Sequence, residues 1–278
     1  MKKTAIDIIE EYNPDLIMGG PPCQDFSSAG KRDITMGRAE LTYHFANIVC
    51  AIRPKWFVME NVEQIKKSPI LTKTTNQFIQ NGYGLSAVIL DASYCNVPQA
   101  RTRFFLIGCL NQQHYFLDKI LYQNMNKSPM TVRDYLGDSL NLEYYYRHPR
   151  NYNRRGIFSI DEPSPTIRGV NRPIPKGYTL NQCDPQGIDL DTIRPLTMIE
   201  RSYIQTFPKD FIFIGTKTNL EQMIGNSVPV NLAQFIGNAI KDFIHQKPEI
   251  SQIQFNLFEK DDLSFTLPQK TLHKILVK

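Results

Sequence analysis

Gly19-Gly20-Pro21-Pro22-Cys23-Gln24 sets one cysteine in a stiff turn directly after an apolar strand, Asp15-Leu16-Ile17-Met18. Strands of open α/β sheets deliver functional groups at their carboxyl ends, where ligand crevices form. Two glycines allow close backbone approach and two prolines fix φ, so the turn has little freedom to move its thiol. A cysteine in this setting reads as a nucleophile, which needs activation and an electrophile held against it. The plain alternative is a buried small hydrophobe.

Three other segments carry groups that could serve such a thiol. Glu60-Asn61-Val62 closes the strand Trp56-Phe57-Val58-Met59-Glu60, so its carboxylate emerges on the same sheet edge as Cys23. Gln99-Ala100-Arg101-Thr102-Arg103 opens a later strand, and alternation puts Arg101 and Arg103 on one face. Gly225-Asn226-Ser227-Val228-Pro229 is a turn with a helix behind it, whose amide groups and Asn or Ser side chains suit a small polar ligand. Taken singly, each has an ordinary reading: a surface carboxylate, a solvated strand face, and turn chemistry.

The elements that must position these groups follow from pattern. From residue 1 to about 110, helix and strand alternate as in a parallel sheet. A short helix runs to Tyr12, followed by the strand 15–18, a polar loop 24–37 and a helix ending near Ala51. After the Trp56 strand come a helix from Leu71 to Gln80 and strands at Leu85 to Leu90 and Arg103 to Cys109. The closeness of the last two predicts an antiparallel addition at a sheet edge. Residues 111–193 lose the rhythm and read as a loop-rich second domain; 194–246 returns to the first, and 247–278 is an unassigned tail. Pro195 suits a first helical turn, and a strong helix spans Pro229 to about His245. Gly82-Tyr83-Gly84-Leu85-Ser86-Ala87 mimics a dinucleotide fingerprint, but it follows a helix and opens a strand, the reverse of the required context.

Composition narrows the class. Hydrophobic residues at 41% and charged residues at 21% suit an ordinary soluble domain. No run of eighteen apolar residues occurs and acidic residues come too early for a signal peptide, so the expected location is the cytoplasm. Five cysteines, at 23, 50, 95, 109 and 183, show neither disulfide nor zinc spacing, so no metal is expected. Of the net +5, most lies between Asn141 and Lys176, where seven Lys or Arg face three acids. Arg147, Arg150, Arg154, Arg155, Arg168 and Arg172 interleave there with Tyr144, Tyr145, Tyr146 and Tyr152, a mixture suited to phosphates and base edges.

Read together, these segments resemble the DNA cytosine carbon-5 methyltransferases. Between about Asp15 and His245 the chain carries Pro-Pro-Cys-Gln, Glu-Asn-Val, Gln-x-Arg-x-Arg, Arg-x-Leu-Thr with a later Gln-x-Phe-Pro, and Gly-Asn-Ser-Val, in the family's order and approximate spacing. Thr166-Ile167 resembles the family's Thr-Leu/Ile pair in its target-recognition region. The resemblance implies a Rossmann-like, S-adenosylmethionine-dependent α/β methyltransferase sheet with a small target-recognition domain. It implies Cys23 as the thiolate that adds to cytosine carbon 6, and Glu60 as the acid at ring nitrogen 3 and the exocyclic amine. Arg103 is implied at the carbonyl oxygen, with Arg101 supporting the base or a nearby loop. The base must first leave the duplex stack. Pro22, Leu41, Asn226, Ser227 and Val228 match cofactor-bordering positions. The loop with Gln24, Ser27, Ser28, Lys31 and Arg38 resembles the one that closes over the flipped nucleotide, and Arg147, Arg154, Arg155, Arg168 and Arg172 are the DNA-contact candidates.

Departures also set expectations. Cys95-Asn96 stand where the family has Tyr-Gly, and Asn tolerates the left-handed conformation of a glycine. About fourteen residues precede the first strand, where the family carries a Phe-x-Gly-x-Gly turn for S-adenosylmethionine. The cofactor half-site is therefore expected to be partial, with a second polypeptide, an upstream segment or a truncated remnant as alternatives, and with apolar sheet edges that promote pairing or aggregation. An RNA cytosine methyltransferase would carry Cys-Phe-Thr, which is lacking. A noncatalytic DNA-binding remnant would need only residues 141–176. Thymidylate synthase shares the attack on carbon 6 but not the other motifs.

Overall fold

The computed structural model describes residues 3–22, 40–151 and 154–246. Contacts divide the chain into two compact units, one of residues 1–90, 102–123 and 239–278, the other of 91–101 and 124–238.

The first unit is built on four strands, β1 (Leu16–Gly19), β2 (Trp56–Asn61), β3 (Tyr83–Asp91) and β5 (Thr102–Leu110), in the order β1-β2-β5-β3. β1 and β2 run parallel, pairing Leu16 with Trp56 and Gly19 with Met59. That register brings the carboxyl ends of both strands out side by side. β5 is antiparallel to β2, and Asn111 N–H to Gly82 C=O with Ala92 N–H to Arg101 C=O frames the antiparallel β3–β5 pair. The antiparallel addition read from the sequence is present, but of its two strands β5 lies inside the sheet and β3 at an edge. β5 is buried along most of its length, as an interior strand covered on both faces must be.

Helices α2 (Glu40–Ile52) and α3 (Pro69–Gln80) cover one face, where Ala46, Val49, Leu71 and Phe78 meet Phe57, Met59, Leu85, Ala87, Phe104 and Leu106. Phe57 stacks on Phe78 at 4.0 Å between centroids. On the alternate side of β2, Trp56 meets Phe116 and Phe243 edge-on. Ser68 caps α3, whose first residue is Pro69, the position where a missing N–H costs nothing. Helix α1 (Ala5–Glu10) starts in a Thr4/Asp7 capping box and buries no side chain.

In the second unit, a parallel pair β4 (Gln99–Ala100) and β8 (Ser164–Pro165) and an antiparallel pair β6 (Tyr144–Tyr146) and β7 (Ile157–Ser159) replace a large sheet. They pack with α5 (Val132–Leu136), α6 (Met198–Ile204) and α7 (Lys217–Asn226) around Val132, Tyr145, Ile160, Ile167, Leu196, Ile204 and Ile224. Pro195 does not begin a helix. It bridges to Tyr146, and α6 starts at Met198 because Thr197 and Glu200 form a capping box. Asn96 has φ +61°, the left-handed conformation expected of it. Helix α4 (Asp118–Gln123) belongs to the first unit, and α8 (Val230–His245) begins in the second and ends in the first. Among the described residues no helix is long and apolar enough to cross a membrane.

Candidate active site

In the first unit the ends of β1 and β2 are tied together side chain by side chain. The Arg103 Nε donates to Glu60 Oε1 at 2.9 Å, with both side chains mostly buried. A Cβ on Gly20 would lie 3.1 Å from Glu60 Oε2, so the glycine leaves room for that oxygen over the turn leading to Cys23. Asn61 Nδ2 donates to the Pro21 carbonyl at 3.2 Å, while its Oδ1 accepts from Val62 N–H at 2.9 Å. The Glu-Asn-Val segment thus supplies one carboxylate that pairs with Arg103 and one carboxamide that fastens the Pro-Pro loop. Pro22 is exposed, and Leu41, at the start of α2, is 41% exposed. Cys23, Gln24, Ser27, Lys31 and Arg38 lie outside the described residues.

Arg101 has a different neighbourhood from Arg103. It lies between β4 and β5 rather than within a strand, so the alternation that would place both arginines on one face does not apply. In the second unit its buried guanidinium donates to the carbonyls of Ile167 (3.1 Å), Gly225 (3.2 Å) and Ser227 (3.0 Å). Gln99, fully buried, accepts from Ile167 N–H and donates to Gln205 Oε1, both at 2.8 Å. Gln205 donates in turn to the Ile224 carbonyl. Three of the sequence motifs and the Thr-Ile pair are therefore one buried polar cluster. Gly225 and Asn226 are the last residues of α7 rather than part of the turn, which begins at Ser227. Asn226 is exposed, Val228 half-buried, and the Ser227 hydroxyl donates inward to Ile224.

The basic segment resolves into arginines with different work. Arg155 pairs in a fork with Glu162, donates to the Ile157 carbonyl and covers the Phe158 ring, so it braces the unit. Arg147 donates to the Thr166 carbonyl at 3.0 Å, and Arg168 to that of His148. Burial, then the charge of Arg168, pulls Arg147 down to about 10, and burial with Arg150 and Arg172 lowers Arg168. Arg154 and Arg172 are exposed. Mutual repulsion among these cations adds to the effect of burial.

Two groups escaped the sequence reading. Asp184, 3% exposed, accepts from Gly156 and Ile157 N–H (2.7 and 2.9 Å), from Asn181 N–H (2.8 Å) and from the Tyr178 hydroxyl (2.6 Å). Burial favours its protonation, but the Tyr178 hydroxyl and the three amides outweigh it and hold the carboxyl below its ordinary 3.8. The lowered value means stabilisation that is complete above pH 3.8 and declines as pH falls through the folded value. Asp184→Ala is expected to cost about 3 kcal/mol in urea unfolding at pH 7, by leaving four donors without their acceptor, and less at pH 3. Arg201 and Glu221 form the second group, a buried ion pair between α6 and α7. Neither carries a spacing signature; a lone Asp in a polar loop looks like turn chemistry.

Burial pushes the thiols of Cys50 and Cys109 up to about 11 and that of Cys95 to about 12, so they are protonated and inert at neutral pH. Among the described residues no group of three His, Cys, Asp or Glu could hold a metal.

The mixed sheet is that of an S-adenosylmethionine-dependent methyltransferase fold. Solved structures agree: the Schizosaccharomyces pombe Dnmt2 methyltransferase superposes with a TM-score of 0.59 at 16% identity, covering 88% of this chain and 83% of its own. A putative DNA modification methyltransferase encoded within a prophage of Escherichia coli gives 0.58 at 22% identity, covering 86% and 83%. The C-5 cytosine-specific DNA methylase family matches residues 1–242, and the chain belongs to that family. It is 74% identical over 242 residues to the type II methyltransferase M.HindV of Haemophilus influenzae, covering 87% of this chain and 80% of that protein. It is 53% identical over 249 residues to M.HgiDI of Herpetosiphon aurantiacus, covering 90% and 80%.

Proposed function

We propose that the chain methylates carbon 5 of a cytosine turned out of a specific duplex site, as the modifying member of a type II restriction-modification pair acting in the cytoplasm. The observation that carries this reading is the Glu60–Arg103 pair set over Gly20, with Asn61 fastening Pro21 two residues before Cys23.

The roles follow from what each group can donate or accept. The Cys23 thiolate adds to carbon 6 and makes carbon 5 an enamine nucleophile. Glu60, protonated, donates to ring nitrogen 3 and accepts from the exocyclic amine, while Arg103 donates to the carbonyl oxygen. S-adenosylmethionine, when bound, supplies an electrophilic methyl group on a sulfonium centre. Loss of the carbon-5 proton to water and return of the electron pair to Cys23 restore the aromatic ring and free the enzyme. Exposed Pro22 and Leu41 offer apolar surface suited to an adenosyl group, and exposed Asn226, followed by Ser227 and Val228, offers a carboxamide. Residues 111–193 read the duplex, with Arg147, Arg154, Arg168 and Arg172 on its phosphates and Arg155 bracing them. Gln24, Ser27, Lys31 and Arg38 close over the flipped nucleotide. The relatives give no support for a second polypeptide, and the proposal includes none.

Duplex DNA bearing 5-fluorocytosine, incubated with the chain and S-adenosylmethionine, tests the reading because fluorine cannot leave as a proton. A covalent adduct is expected, absent in Cys23→Ser. Failure of the unaltered chain to form the adduct on sheared genomic DNA substituted throughout would sink the catalytic assignment.

A further inference from the structure

We propose that Arg101 is a positioning residue, and that the buried cluster it anchors makes the shape of segment 225–228, the end of α7 and the turn that follows it, depend on how segment 166–169 is seated. The inference rests on the proposed function, in which the first region borders the methyl donor and the second belongs to the DNA-reading part of the chain.

Both polar backbone groups of Ile167 are held by one short stretch: its N–H by Gln99 Oε1 and its carbonyl by Arg101 Nη1. The other end of the same guanidinium, Nη2, holds the Gly225 and Ser227 carbonyls. A planar, rigid fork cannot follow one segment without disturbing its bonds to the other. Gln205 repeats the link from a second direction, since its amide accepts from Gln99 and donates to the Ile224 carbonyl. Its own backbone carbonyl accepts from Val230 N–H at 3.1 Å, and Thr206 Oγ1 accepts from Asn231 N–H at 2.9 Å, which fixes the start of α8 beyond the turn.

Packing leaves no slack between the two segments. A Cβ at Gly225 would lie 2.1 Å from Gly169 N and 2.3 Å from Arg168 C, so the end of α7 rests directly on the 168–169 backbone. The DNA-facing side is fastened to the same few residues, because Arg147 donates to the Thr166 carbonyl and Arg201 to that of Arg168. A duplex that draws on Arg147 and Arg168 therefore pulls on Thr166 to Gly169, and a close-packed interior passes the shift to the turn. By linkage, whatever seats the turn also favours the DNA-bound seating of segment 166–169.

Amide hydrogen exchange followed by mass spectrometry on the full chain, with and without sheared genomic duplex DNA, tests this. With DNA, peptides over 166–169 should be protected and those over 224–231 should exchange about five-fold more slowly, the size of an ordinary coupling. In Arg101→Lys, which keeps the charge but loses the fork, the DNA-dependent difference at 224–231 should fall below about two-fold while 166–169 stays protected. Protection at 166–169 with no change at 224–231 in the unaltered chain would overturn the inference. So would an Arg101→Lys chain in which both states exchange faster but the difference survives, since that is a merely structural clamp. No protection at 166–169 in any chain would instead strike the DNA-reading assignment itself, and the inference with it.

Discussion

Glu60→Gln is expected to slow methyl transfer by about 10²- to 10⁴-fold, the range lost when a positioned proton donor is removed. Glutamine keeps the length of the side chain and can still face Arg103, but it cannot hand a proton toward ring nitrogen 3 while accepting from the exocyclic amine. The Glu60–Arg103 pair is mostly buried, with the two side chains at 20% and 15% exposure, but the glutamine carbonyl can still accept from Arg103. The substitution should therefore cost about 1 to 3 kcal/mol of unfolding free energy, the worth of one charge-assisted hydrogen bond. Single-turnover transfer of a labelled methyl group to duplex DNA, run beside a urea melt, separates the two effects. A rate loss below tenfold, whatever the melt, would remove Glu60 from the chemistry.

The largest effect on folding is expected at Arg201. Its side chain and that of Glu221 are 5% and 6% exposed, and Arg201 also donates to the Arg168 carbonyl. Burial, followed by the charge of Arg168, pulls the guanidinium down to about 10, yet it stays charged at neutral pH. Arg201→Met strands the buried Glu221 carboxylate without its cation, and should cost about 3 to 5 kcal/mol. Replacing both, Arg201→Met with Glu221→Leu, should recover most of that, because the cost lies in the stranded charge more than in the pair itself. Urea unfolding of the three chains decides it: equal stability of the single and double variants would mean that water reaches Glu221.

Strands and helices of the first unit were legible because period-two and period-3.6 apolar patterns survive wherever a sheet is covered by helices. β1, β2, α3, β3 and β5 fall within a few residues of their expected bounds. The place of β5 between β2 and β3 was not legible, since adjacency in a sheet depends on non-local pairing that no local pattern encodes. The same limit separates Arg101 from Arg103. Their spacing suggests a shared face, but a break between β4 and β5 sends one guanidinium to Glu60 and the other to three backbone carbonyls. Pro195 misled because proline suits both a first helical turn and the extended approach to one, and the Thr197/Glu200 box decides between them. In the second unit, single buried polar groups such as Asp184 and Gln205 join segments around the apolar core, and their partners lie far away in sequence for Gln99 and close by for Tyr178. Ordered motifs disclosed the family; their mutual hydrogen bonds were beyond any reading of spacing.

The outer side of β1 has a practical consequence for every assay named above. Among the described residues nothing pairs with β1 opposite β2, and Leu16 and Met18 of the same strand stand 39% and 58% exposed. An edge of unpaired backbone groups beside the segment that leads to Cys23 is a surface on which a further strand can pair. Self-pairing there rises with the square of concentration, whereas turnover rises linearly. Specific activity should therefore be compared at matched, low chain concentration, where the edge competes least with the duplex.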